Sequence, residues 1–267
     1  TAILPVDMFR NRSLSALFTL AVLGGFTMFS LLFYAPLLFQ GGFGMSPKEA
    51  GLVITPLVVF ITFGSIVNGR VVSRVSNPNL MLYVGFALVA LSCLGIVVAT
   101  RSMQQWVLMS FMVIGGLGLG FVMPNLTIFA QQTAGREHLG IATALLQSLR
   151  MIGGMIGTAL TGTLISHMYA SGVRSALDSA NASHWFADLG DPQILINREA
   201  QTTLVEQLTH AGHNGAMLLE SAREALVAAI HLGLAMAAII AVVCVWQSRR
   251  VPPIKLQRKA EPVIHAD

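Results

Sequence analysis

Six stretches of this sequence are long and apolar enough to cross a bilayer, and they constrain the fold more than any motif does: residues 14–39, 48–69, 79–99, 106–130, 140–166 and 225–247. A helix needs about 20 apolar residues to span a hydrocarbon layer roughly 30 Å thick. The alternation of a β-barrel strand is absent from all six. Composition agrees, since only 10% of the residues are charged and 54% are hydrophobic, where soluble domains carry about 25% charge. The expected class is all-α: a polytopic membrane helix bundle with six transmembrane helices.

The residues between the spans punctuate them. Ser46-Pro47-Lys48-Glu49 reads as a capping box with proline at the first helical position. Ser76-Asn77-Pro78-Asn79 reads as a turn, residues 131–138 as a short polar connection, and Arg249 to Pro253 as the stop of the last helix. Six spans return both ends of the chain to one side. Ten lysines and arginines fall on that side and five on the other, so the lead (1–13) and the tail (248–267) are expected to be cytoplasmic in a cell inner membrane. The lead opens on a polar stretch at Thr1, as a fragment or trimmed chain would. The long loop 167–224, mostly acidic in its charges, then faces outward, with a short helix expected after Asn197. The net charge of +4 comes from residues flanking apolar runs, without an aromatic–basic face, so no nucleic-acid partner is implied.

Arg150 is the exception inside the spans. A charge near mid-bilayer costs roughly 2.5–3.5 kcal/mol or more, and apart from Glu49 in the capping box that opens the second run, no aspartate or glutamate lies in the six runs to offset it. At 100° per residue, Thr143, Gln147, Arg150, Gly154, Gly157, Thr158 and Thr161 share one face of the fifth span. Leu145, Leu149, Ile152, Ile156 and Leu160 take the opposite one. Arg150 is therefore expected to face protein or a hydrated cavity. Two roles stay open: a structural arginine on a packing stripe that includes Gly153-x-x-x-Gly157, or a residue lining a substrate or proton pathway.

Other features are weighed the same way. Gly115 to Gly120 lacks both the preceding strand and the Gly-Lys-Ser/Thr ending of a phosphate loop, so Gly116-x-x-x-Gly120 reads as close helix packing. Pro124 removes a helical bond to the Gly120 carbonyl, which Asn125 is positioned to replace. In the first span Thr27, Ser30 and Tyr34 form a candidate cavity face, with Phe26, Phe29 and Phe33 on another. His210 and His213 are spaced for a metal but lack further ligands, and Cys93 and Cys244 read as buried small hydrophobes. No cofactor, metal site or catalytic set is implied.

The glycines repeat. Gly24-Gly25 followed by Pro36 parallels Gly115-Gly116 followed by Pro124, and Gly51 with Gly64 parallels Gly140 with Gly153. Two inverted three-helix units would give this pattern. Together with Leu4-Pro5-Val6-Asp7-Met8-Phe9-Arg10-Asn11-Arg12, Tyr34-Ala35-Pro36-Leu37, Ser46-Pro47 and Arg150-Met151-Ile152-Gly153-Gly154, the chain resembles the C-terminal half of a major facilitator superfamily transporter. The nearest group is the drug:proton antiporters with about fourteen spans. Gly69 and Arg74 match that family's cytoplasmic loop motif; Ser73 stands where the family has aspartate, which favours membrane-surface anchoring over a charge-relay gate.

The resemblance implies a major-facilitator half and proton-coupled export of hydrophobic or amphipathic small molecules by alternating access, not an enzyme. The shared helix faces make Thr143, Gln147, Arg150, Gly154, Thr158, Thr27, Ser30 and Tyr34 the candidates along the pathway; the resemblance carries a gating role to Gly153, Gly154 and Gly157, while Gly116, Gly120 and Pro124 are read as helix packing and a kink. The implied partners are the missing N-terminal half, which would carry the proton-coupling carboxylates, a small hydrophobic substrate, protons, the lipid bilayer and a periplasmic adaptor at the outer loop. The alternative is a non-transporting membrane scaffold or subunit whose polar helix face binds a partner protein.

Overall fold

A computed structural model describes residues 10–72 and 77–251. Arg74, Ser73, Ser76 and the lead residues Leu4 to Phe9 lie outside them, as does most of the tail. Six membrane-length helices are present: α1 (Arg12–Leu37), α2 (Pro47–Val71), α3 (Asn79–Val97), α4 (Gln105–Ala134), α5 (Leu139–Ser179) and α8 (Gly215–Ser248). Between α5 and α8 lie a four-residue helix α6 (Phe186–Leu189) and the longer α7 (Arg198–His210). No strand occurs among the described residues.

Local chemistry sets the helix starts. Ser46 Oγ accepts from the Glu49 N–H while the Glu49 carboxylate accepts from the Ser46 N–H, closing the capping box over α2. Asn11 caps α1 by accepting from Ser13 and Leu14, and Asn197 caps α7 by accepting from Glu199 and Ala200. Each cap satisfies N–H groups that the first helical turn leaves unpaired.

Three boundaries differ from the sequence expectation. The run 140–166 does not end there: α5 continues to Ser179 because Tyr169, Val173 and Leu177 carry its buried face onward after hydropathy falls. α8 likewise begins at Gly215 rather than 225, with Leu218 and Ala222 buried. Gln131 to Ala134 belong to α4, so the connection shrinks to Gly135–His138. In addition, α1 passes into a π-helical turn at Leu38–Gly42, where Leu226 and Val227 of α8 press against Gly41 and Gly42.

The packing has an internal symmetry. α2 lies chiefly on α4, and α5 lies chiefly on α1. If α1–α3 and α4, α5 and α8 are the two units, these are equivalent seams. Glycines line both. A Cβ on Gly120 would come within 2.5 Å of the Ile61 carbonyl oxygen, and one on Gly157 within 2.7 Å of the Phe26 Cα. Gly116 meets the Leu57 carbonyl in the same way, and Gly153 meets that of Val22. Where hydrocarbon surrounds the helices, such backbone approach supplies the dispersion contact that holds them together. Two apolar clusters fill the interior. One contains Phe18, Phe86, Phe129, Leu146 and Cys244 near the chain ends, and the other Phe39, Cys93, Tyr169 and Leu226 in the opposite half. Both cysteines are buried and free.

Candidate functional site

The polar stripe of α5 divides into two regions. Its C-terminal part packs as a seam against α1. Ser30 Oγ and Thr161 Oγ1 share a hydrogen bond of 3.1 Å, and both residues are fully buried. Tyr34 donates its hydroxyl to the Thr158 carbonyl at 2.7 Å. Thr27 turns back to the Leu23 carbonyl of its own helix. Gly154 sits under the Phe29 ring, 2.5 Å from where a Cβ would be. Thr27, Ser30 and Gly154 therefore stand inside helix packing, not on an open wall, because the small residues of α5 draw α1 against them. Phe26 is buried in that seam, while Phe33 is 60% exposed.

The N-terminal part is different. Thr143 is half-buried and accepts from Gln131 of α4 at 2.9 Å, while its own hydroxyl donates to the Leu139 carbonyl. Gln147 is exposed, and its Oε1 accepts from Arg150 Nη1 at 2.9 Å. Arg150 itself is only 8% exposed. Its Nη2 makes a long contact of 3.5 Å with the Met123 carbonyl of α4, and Nε is buried without a partner. Among the described residues no carboxylate reaches it. The Cα–Cβ bond of a helical residue tilts toward the N-terminus. That direction carries the guanidinium away from the Gly25 contact behind it, toward Gln147 and the α4/α5 groove. Ile152, Ile156 and Leu160, on the other side of α5, are 43%, 47% and 55% exposed.

Beside the groove, Pro124 leaves the Gly120 carbonyl without its helical donor. Ser65 of α2 comes to that place, its single hydroxyl proton shared between the Gly120 oxygen at 3.2 Å and the Ile61 carbonyl of its own helix at 2.8 Å. Asn125 was the sequence candidate; its amide instead donates to Phe121 O and exchanges hydrogen bonds with Asn68 at 2.7 and 3.2 Å. Gly69 stands open, with nothing within 4 Å of where a Cβ would project, and Arg74 lies outside the described residues.

Near the C-terminal end of α1, a cavity of about 850 Å³ opens between α1, α5 and the segment before α7. Tyr34, Thr158, Gln40 and Asp191 line it with Phe33 and Pro192. Tyr169 donates to the Leu189 carbonyl at 2.7 Å and so ties that segment to α5. His213 lies beside His184, ring centroids 6.0 Å apart, and no group of three metal-ligating side chains occurs among the described residues. One ionisable residue inside a span escaped the sequence reading: His231 of α8, whose Nε2 is buried without a hydrogen-bond partner. A scan of the spans for histidine as well as carboxylates would have found it.

Six membrane-length helices joined along glycine seams, with a buried arginine in one of them, define a multi-pass membrane helix bundle. Residues 2–158 match the Major Facilitator Superfamily, and the chain belongs to that family. It is 30% identical to the multidrug transporter protein MdtP of Bacillus subtilis (strain 168), over 96% of this chain and 49% of that protein. It is 35% identical to the tetracenomycin C resistance and export protein of Streptomyces glaucescens, over 61% of this chain and 30% of the relative. A crystal structure of a bacterial homologue of the human lysosomal transporter Spinster, inward-facing and unoccupied, shares the fold. Its TM-score is 0.65 at 17% identity, covering 92% of this chain and 50% of that one. The chain thus spans half or less of the length of these proteins.

Proposed function

We propose that this chain is the C-terminal six-helix half of a proton-coupled exporter of hydrophobic or amphipathic small molecules. It would work by alternating access around a site near the bilayer midplane. The observation that carries this reading is the α4/α5 groove: an exposed Gln147 joined to a buried Arg150 that no carboxylate reaches among the described residues. An intramembrane charge held beside an open polar surface suits a pathway wall better than a lipid contact. The names of the bacterial relatives, a multidrug transporter and an antibiotic export protein, support the substrate class.

The N-terminal half would cover α2 and α5. Only 22% and 28% of their most apolar windows are buried within this chain, against 61% for α1. With no carboxylate in the six apolar runs beyond Glu49, which closes the capping box at a helix start, the proton-coupling acids would belong to that half. The excess of arginine and lysine on the side of the chain ends supports both termini lying on the cytoplasmic side of an inner membrane. The segment from α6 to α7 then faces outward, where a periplasmic adaptor can dock; undiminished export after excision of residues 183–197 removes that adaptor role.

The test is labelling of Gln147→Cys with a water-soluble maleimide in the full-length exporter. The pathway reading requires reaction, at a rate that changes when substrate or a proton gradient is applied. Failure to react under every condition removes it.

A further inference from the structure

Where α1 begins and α8 ends, the two helices leave a cleft of about 540 Å³ lined by Arg10, Arg12, Ser15, Thr19, Gln247 and Arg250. Among the described residues no acidic side chain lines it, and the first turn of α1 contains none. Arg12, Ser15 and Thr19 recur at helical spacing, so α1 presents them from one face. The positive end of the α1 dipole adds to the same potential.

The surroundings say what kind of anion fits. The Arg250 guanidinium lies 4.5 Å from the centroid of the Trp246 ring, and Trp246 is 55% exposed. An indole in that setting marks the interfacial layer of a membrane. Val243, Val242 and Ile239 continue from Trp246 along α8, exposed by 43%, 54% and 65%. Their spacing makes a lane of apolar side chains that runs down the helix and ends at a guanidinium. A soluble phosphate would use the charges and leave the lane empty. A molecule with a phosphate at one end and an acyl chain at the other uses both.

We propose that this cleft binds an anionic phospholipid, its phosphate held by Arg12 and Arg250 and an acyl chain laid along Trp246, Val242 and Ile239. The inference is independent of what the protein transports.

The experiment reads Trp246 fluorescence in the full-length protein, with the chain's other two tryptophans replaced (Trp106→Phe, Trp185→Phe). Other tryptophans of the polypeptide are replaced likewise, and the protein is reconstituted in bilayers. Quenching by brominated phosphatidylglycerol is compared with quenching by brominated phosphatidylcholine. Half-quenching should need a clearly lower mole fraction of phosphatidylglycerol. R12Q should weaken that preference about fivefold, and R12Q/R250Q roughly 25-fold, at about one surface charge each. The phosphatidylcholine curve should stay in place in R12Q, which leaves the Arg250–Trp246 stack intact.

Equal quenching by the two lipids in the parent overturns the proposal, as does a preference that survives R12Q/R250Q. A preference abolished by millimolar inorganic phosphate at constant ionic strength would assign the cleft to a soluble anion. One that emerges only after residues 252–267 are removed would assign it to the chain's own tail. Either of those also overturns it.

Discussion

Gly25 of α1 lies against the backbone carbonyl of Arg150 on α5, with no room for a side chain between them. The two helices are therefore in backbone contact at the level of the intramembrane charge. Backbone faces α1 there, and the guanidinium is turned out toward α4. A residue that costs a few kcal/mol in lipid is thus placed by a glycine on the neighbouring helix.

Gly25→Ala or Gly153→Ala should open this seam. Each Cβ would meet a backbone carbonyl, which cannot move aside as a flexible side-chain end can. The expected cost is about 1–3 kcal/mol or more, read as a lower unfolding midpoint in detergent. Gly140→Ala and Gly69→Ala, where nothing lies within 4 Å of the added carbon, should be neutral or slightly stabilising. Equal losses at all four positions would contradict the seam.

Ser65 and Pro124 should be energetically coupled. Ser65→Ala removes the hydroxyl proton that the Gly120 carbonyl shares with that of Ile61, and should cost about 0.6 kcal/mol or less. In a Pro124→Ala background the restored backbone N–H supplies that bond, so the same substitution should cost close to nothing. A double-mutant cycle on unfolding free energy checks this; additive effects would break the link.

Asn68 and Asn125, both fully buried, satisfy one another across the α2/α4 seam. Replacing either alone by leucine strands the partner's amide, at about 1–3 kcal/mol. The double leucine variant should lose less than the sum of the two single losses. Unfolding midpoints of the three variants decide it.

Much of the fold was legible because hydropathy reports directly on lipid contact. Six long apolar runs could become little else, and Ser46 with Glu49, or Asn197, mark helix starts through bonds made within one turn. The ends of α5 and α8 were not legible. Beyond Ile165 the helix is held by Tyr169, Val173 and Leu177 packed on neighbours, a signal that a hydropathy count averages away. At the site, the period of α5 was enough to put Arg150 on the polar face. It could not say that Ser30, Thr27 and Gly154 would close against a second helix, because that depends on which helix arrives. Nor could it give the Gly120 carbonyl to Ser65, which comes from α2 and lies far from Pro124 in sequence.

Tyr169→Phe should act locally. The hydroxyl holds the Leu189 carbonyl, and its loss should raise amide exchange across residues 186–197 while α1 and α4 keep their protection. A net hydrogen bond is worth about 1 kcal/mol, so exchange there should accelerate about fivefold. Unchanged exchange in that segment would mean the bond does not anchor it.

The proposed transport pathway requires that the side of α5 bearing Gln147 and Arg150 border water while its opposite side does not. Nitroxide labels at 147 and 156 in the full-length protein, in bilayers, test it most directly through collision with a water-soluble nickel chelate and with oxygen. A hydrated groove predicts that the label at 147 collides mainly with nickel and the label at 156 with oxygen or with neither. Oxygen-dominated collision at 147, equal to that of a lipid-facing label, would contradict it.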